Sequence, residues 1–224
     1  TDAERAIKTA HFFFFDENGN PFNVTGAPAT APGGTLNHLA LTIGETTGKS
    51  DPNVSDIKNA VLVLNTYKGV YPSQIVAVLN WTPEAKTYTL TDLHDLLATL
   101  GNDTNGYVMS NSVYMDGAGK MVDAVPLTAA NIKTTAKDAT DNPIDIYVER
   151  IAAKVVVTAN GEKVASTTHD NVFDTTKDTD FALSSGTNVD VFVQLHGWEL
   201  FNDYSDSYLL KNIANQCKQT FQKW

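Results

Sequence analysis

Apolar residues in this chain fall mostly in short runs with a period near two, separated by turn residues. The first run, Ile7 to Phe15, ends in four phenylalanines, Phe12, Phe13, Phe14 and Phe15. It meets Asp16-Glu17-Asn18-Gly19-Asn20-Pro21. That reads as a strand entering a turn. Its alternation is weak, which predicts burial on both faces. A Thr/Pro/Gly-rich loop follows over 26–36, then a second strand over Leu36–Ile43 and a turn around Gly48–Asn53. Ala60–Leu64 and Gln74–Leu79 are short apolar runs that read as strands, although part of the first could continue a helix from Ser55.

One segment has a helical period. Over Thr91–Leu100, Thr91 can cap, Asp92 and Asp95 lie in the first turn, and Leu93, Leu96, Leu97 and Leu100 make one stripe. Gly101 stands where a terminating glycine belongs. Gly106–Met115 then reads as extended and Asp116–Gly119 as a turn. Ile144–Thr158 is the longest strand-like run, and its alternation slips at Glu149-Arg150-Ile151, predicting a bulge or bend. Asn160-Gly161 is a hairpin signal. Thr167–Asp180 reads as loop. Val189–Leu195 alternates as a half-buried strand, and Ser207–Leu210 as a last short one. The pattern predicts an all-β domain with one or two short helices. About eight to ten short strands at this spacing suggest a sandwich rather than a βαβ sheet.

Composition narrows the function classes. The chain has 224 residues, 42% of them hydrophobic, enough for a substantial core. Its net charge of -10 disfavours binding to phosphate backbones, so no nucleic-acid partner is expected. No stretch approaches the roughly 18 consecutive apolar residues of a membrane span. A single cysteine, Cys217, forms no internal disulfide.

Candidate chemistry is sparse. Gly117 and Gly119 lack the third glycine and the strand–helix context of a nucleotide loop. HExxH, paired-cysteine and GxSxG patterns are absent. His11, His38, His94, His169 and His196 are scattered. Asp170, Asp174, Asp178 and Asp180 form an acidic run without the glycine that would turn it around a calcium ion, so a solvated loop is the simpler reading. Cys217 has no neighbouring histidine in sequence and reads as inert. We therefore expect no enzyme activity, no cofactor and no metal. A structural or adhesive module, acting through strand edges and grooves, fits better. Trp81, Trp198 and the tyrosines could instead form a sugar-binding platform, although a buried aromatic core explains them as well.

Three segments carry a family resemblance when taken in order. They are AHFFFFDENGNPF near the start, GYVMSNSVY (Gly106–Tyr114) followed by IYVERIAAKV (Ile146–Val155), and LHGWELFNDYSDSYLLKNI (Leu195–Ile213). Together they resemble the N-terminal domain of the Bacteroidales fimbrillins, the subunits of type V pili. The resemblance implies a transthyretin-like β-sandwich over 1–217. It also implies the start of a linker over 218–224 to a second domain that this chain lacks, so the chain reads as a fragment.

In that family a lipoprotein precursor is exported to the outer-membrane surface of a Gram-negative bacterium. An arginine-specific protease removes an N-terminal segment, including the first strand. A strand from a neighbouring subunit then fills the vacated groove. The implied partners are other fimbrial subunits, with host or bacterial surface ligands besides, and the membrane is reached only through the precursor's lipid anchor. On this chain the implied processing site is Arg5-Ala6, unless cleavage falls upstream of Thr1 and Arg5 is an ordinary exposed residue. Candidate groove or first-strand residues are Ile7, Phe12, Phe13, Phe14, Phe15, Val155 and Val157. Glu149 and Arg150 read as a charged pair anchoring the strand bend.

Overall fold

The computed structural model describes residues 5–25, 35–41, 43, 54, 56–65, 69–102, 104–115, 119–153, 155, 162–164, 172–174, 192–194, 199 and 204–211. Its elements in chain order are β1 (Ala10–Phe15), β2 (His38–Ala40), β3 (Gln74–Leu79), α1 (Leu90–Asp95), β4 (Leu97–Thr99), β5 (Gly101–Asn102), β6 (Gly106–Tyr107), β7 (Met109–Asn111), β8 (Tyr114–Met115), β9 (Met121–Val122), β10 (Val125–Pro126), α2 (Ala136–Asp141), β11 (Val148–Arg150), β12 (Glu162–Val164), β13 (Val172–Asp174), β14 (Phe192–Gln194) and β15 (Asp206–Tyr208). The chain divides into two compact units, Thr1–Ala153 with Ser205–Trp224, and Lys154–Tyr204.

The larger unit is built on an antiparallel sheet in the order β11-β7-β3-β1-β2, with β10 also paired to β3. β1 pairs with β3 from Ala10↔Leu79 to Phe15↔Gln74, and with β2 from His11↔Ala40 to Phe13↔His38. Its polar exit makes the turn. Asp16 Oδ1 accepts from the backbone N–H of Asn18 and Asn20 at 2.8 Å each, and Gly19 takes a left-handed φ of 79° that glycine adopts without steric cost.

Because successive side chains leave a strand on opposite faces, the phenylalanine run fills two cores at once. Phe13 and Phe15 join Val76, Val78, Tyr88, Leu93, Ala98, Val108, Leu209 and Leu210 on one face. Phe12 and Phe14 join Ala10, Val24, Ile75, Ala77, Leu79, Met109, Val125 and Leu127 on the other. This is the two-sided burial that the weak alternation predicts. Each fully buried phenylalanine contributes on the order of 1.5–3 kcal/mol.

Several expectations are corrected. The helix is α1, six residues long, not Thr91–Leu100. Thr89 caps it, with its hydroxyl accepting from Asp92 N–H at 3.0 Å while the Asp92 carboxylate accepts from Thr89 N–H at 2.7 Å. Leu96 is already extended, with φ -79° and ψ 129°. Leu97–Thr99 pairs with β15 through Tyr208↔Leu97 to Asp206↔Thr99. Tertiary pairing overrides the helical leucine spacing here, and Leu97 is 60% exposed instead of lying in an apolar stripe. Gly101 has the positive φ, 92°, but uses it in the β5–β6 ladder.

Ala60–Leu64 carries neither strand nor helix. Its Leu62 and Leu64 pack partly buried against the Phe12/Phe14 cluster. Among the described residues of Ile144–Thr158, the ladder is β11, followed by a bend at Ile151–Ala152 next to the slip in alternation.

The smaller unit holds an antiparallel sheet in the order β12-β13-β14. Its middle strand, Val172–Asp174, lies inside the segment read as loop, because two flanking strands supply partners that its polar neighbours conceal. Asn160-Gly161 and the turn at Gly48–Asn53 lie outside the described residues. Among the described residues no helix is long and apolar enough to cross a membrane.

Candidate functional site

The two faces of the main sheet are covered differently. The Phe13/Phe15 face is closed by buried Leu93 of α1, Ala98 of β4 and the Leu209-Leu210 corner, with Trp81, Leu90, Leu96 and Ile151 partly buried against it. The Phe12/Phe14 face is covered by buried Val24 and Leu127 and by Ile7, Phe22, Leu39, Leu41, Ile43, Leu62, Leu64, Ile144, Ile146 and Val148, each of these ten partly buried. Leu62 and Leu64 turn inward while Val61 and Val63 turn out, Val63 being 84% exposed. Ile144, Ile146 and Val148 alternate in the same way with Asp145 and Tyr147. This cover therefore includes chain segments with the two-residue period of extended backbone, and Ala60–Leu64 belongs to no strand.

Three asparagines hold the face together with side-chain amides in place of a ladder. β7 and β10 share one side of β3, at Val78-Leu79 and Gln74-Ile75 respectively. Between them, Asn111 Oδ1 accepts from Ala77 N–H at 2.8 Å, and its Nδ2 donates to Ile75 C=O at 3.4 Å. Asn37 is fully buried, donates to Phe14 C=O (3.1 Å) and Tyr88 C=O (2.8 Å), and accepts from Tyr88 N–H (3.0 Å).

Asn80 secures the segment before β1. Its Oδ1 accepts from Lys8 N–H at 2.7 Å and Thr9 N–H at 3.4 Å, and its Nδ2 donates to Ala6 C=O at 2.8 Å and Tyr107 C=O at 2.9 Å. Asn80 has φ 59°, in the left-handed region that asparagine tolerates. Gly106 makes room for it. A Cβ there would lie 2.4 Å from Asn80 Nδ2 and 3.1 Å from Ala6 O.

Two histidines apart in sequence meet across β1 and β2. The His11 and His38 ring centroids are 6.3 Å apart, and His38 stacks near Phe13 (5.0 Å) and Tyr88 (5.8 Å). His38 Nε2 lies 3.1 Å from Lys86 C=O and donates to it. His11 Nδ1 is buried and unbonded among the described residues. Burial lowers the pKa of both, and the neighbouring His38 lowers that of His11 further.

The residues singled out from sequence are dispersed. Arg5 is exposed and Ala6 half-buried. Ile7, Phe12 and Phe14 belong to the Phe12/Phe14 face, and Phe13 and Phe15 to its opposite. Val155 is 50% exposed and belongs to the smaller unit. Val157, Trp198, Cys217 and residues 218–224 lie outside the described residues. Trp81 packs partly buried against the Phe13/Phe15 core. His94 Nε2 meets Asp123 Oδ2 at 2.7 Å. Glu149 pairs with Lys211. Asp174 is in β13, with Asp170, Asp178 and Asp180 outside the described residues. Among the described residues no group of His, Cys, Asp and Glu is arranged to hold a metal.

Sequence reasoning missed the roles of Asn37, Asn80 and Asn111. A β-run followed at once by Asn, as in Leu79-Asn80, hints only at a turn. Within the larger unit, parts of the second and third family-like segments meet. Ser110 donates to Leu209 C=O, β11 pairs with β7, and Lys211 reaches Glu149. No family model, curated protein or solved structure matches the chain.

Proposed function

We propose that this chain is the acceptor part of a structural subunit of a cell-surface fimbria, with a transthyretin-like sandwich that assembles by protease-triggered donor-strand exchange and contributes to adhesion. The observation that carries this is the unequal cover of the sheet. Four partly buried residues pack on one face, while ten pack on the other over Phe12, Phe14, Ile75 and Leu79, several of them on segments with an extended period. A guest strand laid against these segments would bury alternate side chains on an apolar floor; a cut after Arg5 frees residues 1–5 and leaves β1 paired in the sheet. The chemistry is non-covalent. Several large side chains at about 1.5–3 kcal/mol each make a slowly dissociating joint.

The test is assembly of the full-length protein before and after trypsin-like cleavage, for wild type and Arg5→Ala. We expect SDS-resistant ladders that need the cut, and their loss in Arg5→Ala. Ladders that ignore cleavage, or a cleaved protein that stays monomeric, would sink the assembly reading.

A second reading has one observation behind it. Tyr208 (51% exposed) and Leu97 (60% exposed) form a cross-strand pair, next to the Thr99–Asp206 hydrogen bond of 2.8 Å. An exposed aromatic beside polar groups suits an adhesin surface for carbohydrate or host protein. A monomeric cleaved protein that binds a glycan would favour it.

A further inference from the structure

We infer that the Asn80 side chain is a latch that holds the Arg5–Ala6 bond back from proteolysis. The inference rests on the proposed processing at Arg5 and concerns how that step is regulated. A protease grips its substrate as an extended strand and hydrogen-bonds to backbone on both sides of the bond it cuts. The segment after Arg5 is instead bonded to Asn80 and would have to let go first. Ala6 C=O accepts from Asn80 Nδ2 at 2.8 Å, and Lys8 N–H donates to Asn80 Oδ1 at 2.7 Å. Asn80 N–H also donates to Thr9 C=O at 2.9 Å.

The same amide is bonded to Tyr107 C=O at 2.9 Å, so the segment after Arg5 is fixed through one residue to the strand pair β5–β6. Arg5 is exposed. The bonds on Ala6, Lys8 and Thr9 must open before the residues after it can be drawn into a protease. The rate of cutting follows the population of the locally opened state when opening and closing are fast compared with cleavage.

The latch also needs two backbone positions. Asn80 is held at φ 59° and Gly106 at φ 82°, with no space for a Cβ at Gly106. A partner or ligand that displaced the Asn80 amide would release the segment without touching Arg5.

The experiment compares cleavage by dilute trypsin in wild type, Asn80→Gly and Asn80→Asp, following the new Ala6 terminus by mass spectrometry. Cutting after Lys137, an exposed residue of α2, reports opening outside the Arg5 segment. Glycine keeps the positive φ and removes the amide. We expect about tenfold faster cutting after Arg5, the change that loss of about 1.4 kcal/mol from the closed state gives, with the Lys137 rate unchanged. Asn80→Asp keeps the acceptor for Lys8 and loses both donors, and should fall between.

Equal rates at Arg5 in all three proteins would overturn the latch, as would an equal rise at both sites. Hydrogen exchange of the Lys8 and Thr9 amides in the wild type reads the opening without any variant, and unprotected amides there would also overturn it. Failure of cleaved protein to form ladders would remove the assembly reading and leave the latch standing.

Discussion

Ala77 donates its backbone N–H to Asn111 Oδ1 because the β7 pairing ends at Val78 and the β10 pairing begins only at Ile75. A buried backbone group without a partner costs about 1–3 kcal/mol. Asn111→Leu keeps the volume and removes both bonds, so we predict a loss of about 1–3 kcal/mol in chemical denaturation. Unchanged stability would mean that the amide is dispensable. Nothing in Ser110-Asn111-Ser112 identifies the residue across from it, which is why the sequence leaves this role hidden.

The histidine pair was likewise invisible, since His11 and His38 meet only through the β1–β2 register. Both folded pKa values lie below 6.5, mainly through burial. The unfolded chain then binds more protons at acid pH. Their stabilisation is complete above the unfolded value and is lost as pH falls from about 6.5 toward the depressed folded values. We predict that the melting temperature drops between pH 7.5 and 5.0 by more in wild type than in a His11→Phe/His38→Phe variant. Parallel profiles would contradict this.

At the scale of elements, what could be read was what local chemistry decides. The β1 run, its Asp16 turn, β3, β14 and β15 follow from apolar runs and turn residues alone. The end of α1 does not. Leu96 and Leu97 continue a helical stripe in sequence, yet pairing with Tyr208 draws Leu97 into β4. β13 was missed because polar residues surround its three-residue run, and only its pairing with β12 and β14 makes it a strand. The cap position moved by two residues, from Thr91 to Thr89, since only the latter has its hydroxyl on Asp92 N–H. Two substitutions separate the readings. Thr89→Ala should cost about 1 kcal/mol, whereas Thr91→Ala and the exposed Leu97→Thr should stay within about 0.5 kcal/mol. Calorimetry on the three variants decides. A large loss at Leu97 would restore a buried leucine stripe.

At the scale of the molecule, one sheet buries apolar side chains on both faces, and the faces differ in what covers them. The sequence predicted a strand-rich body and the central place of the phenylalanines in it. The unequal cover was not readable, because Leu62, Leu64, Ile144 and Ile146 look like strand residues whether they pair at an edge or lie across a face. The division into two units was equally hidden, since no Pro/Gly linker marks Ala153 or Ser205. The central claim is that a neighbour's strand lies on the Phe12/Phe14 face. It is tested most directly by replacing Leu64 with a photocrosslinking amino acid in protein cleaved and allowed to assemble, with Leu97 as the comparison site. The account predicts that position 64 crosslinks to a neighbouring subunit and position 97 does not. Crosslinks from 97 alone, or from neither position in formed ladders, would contradict it.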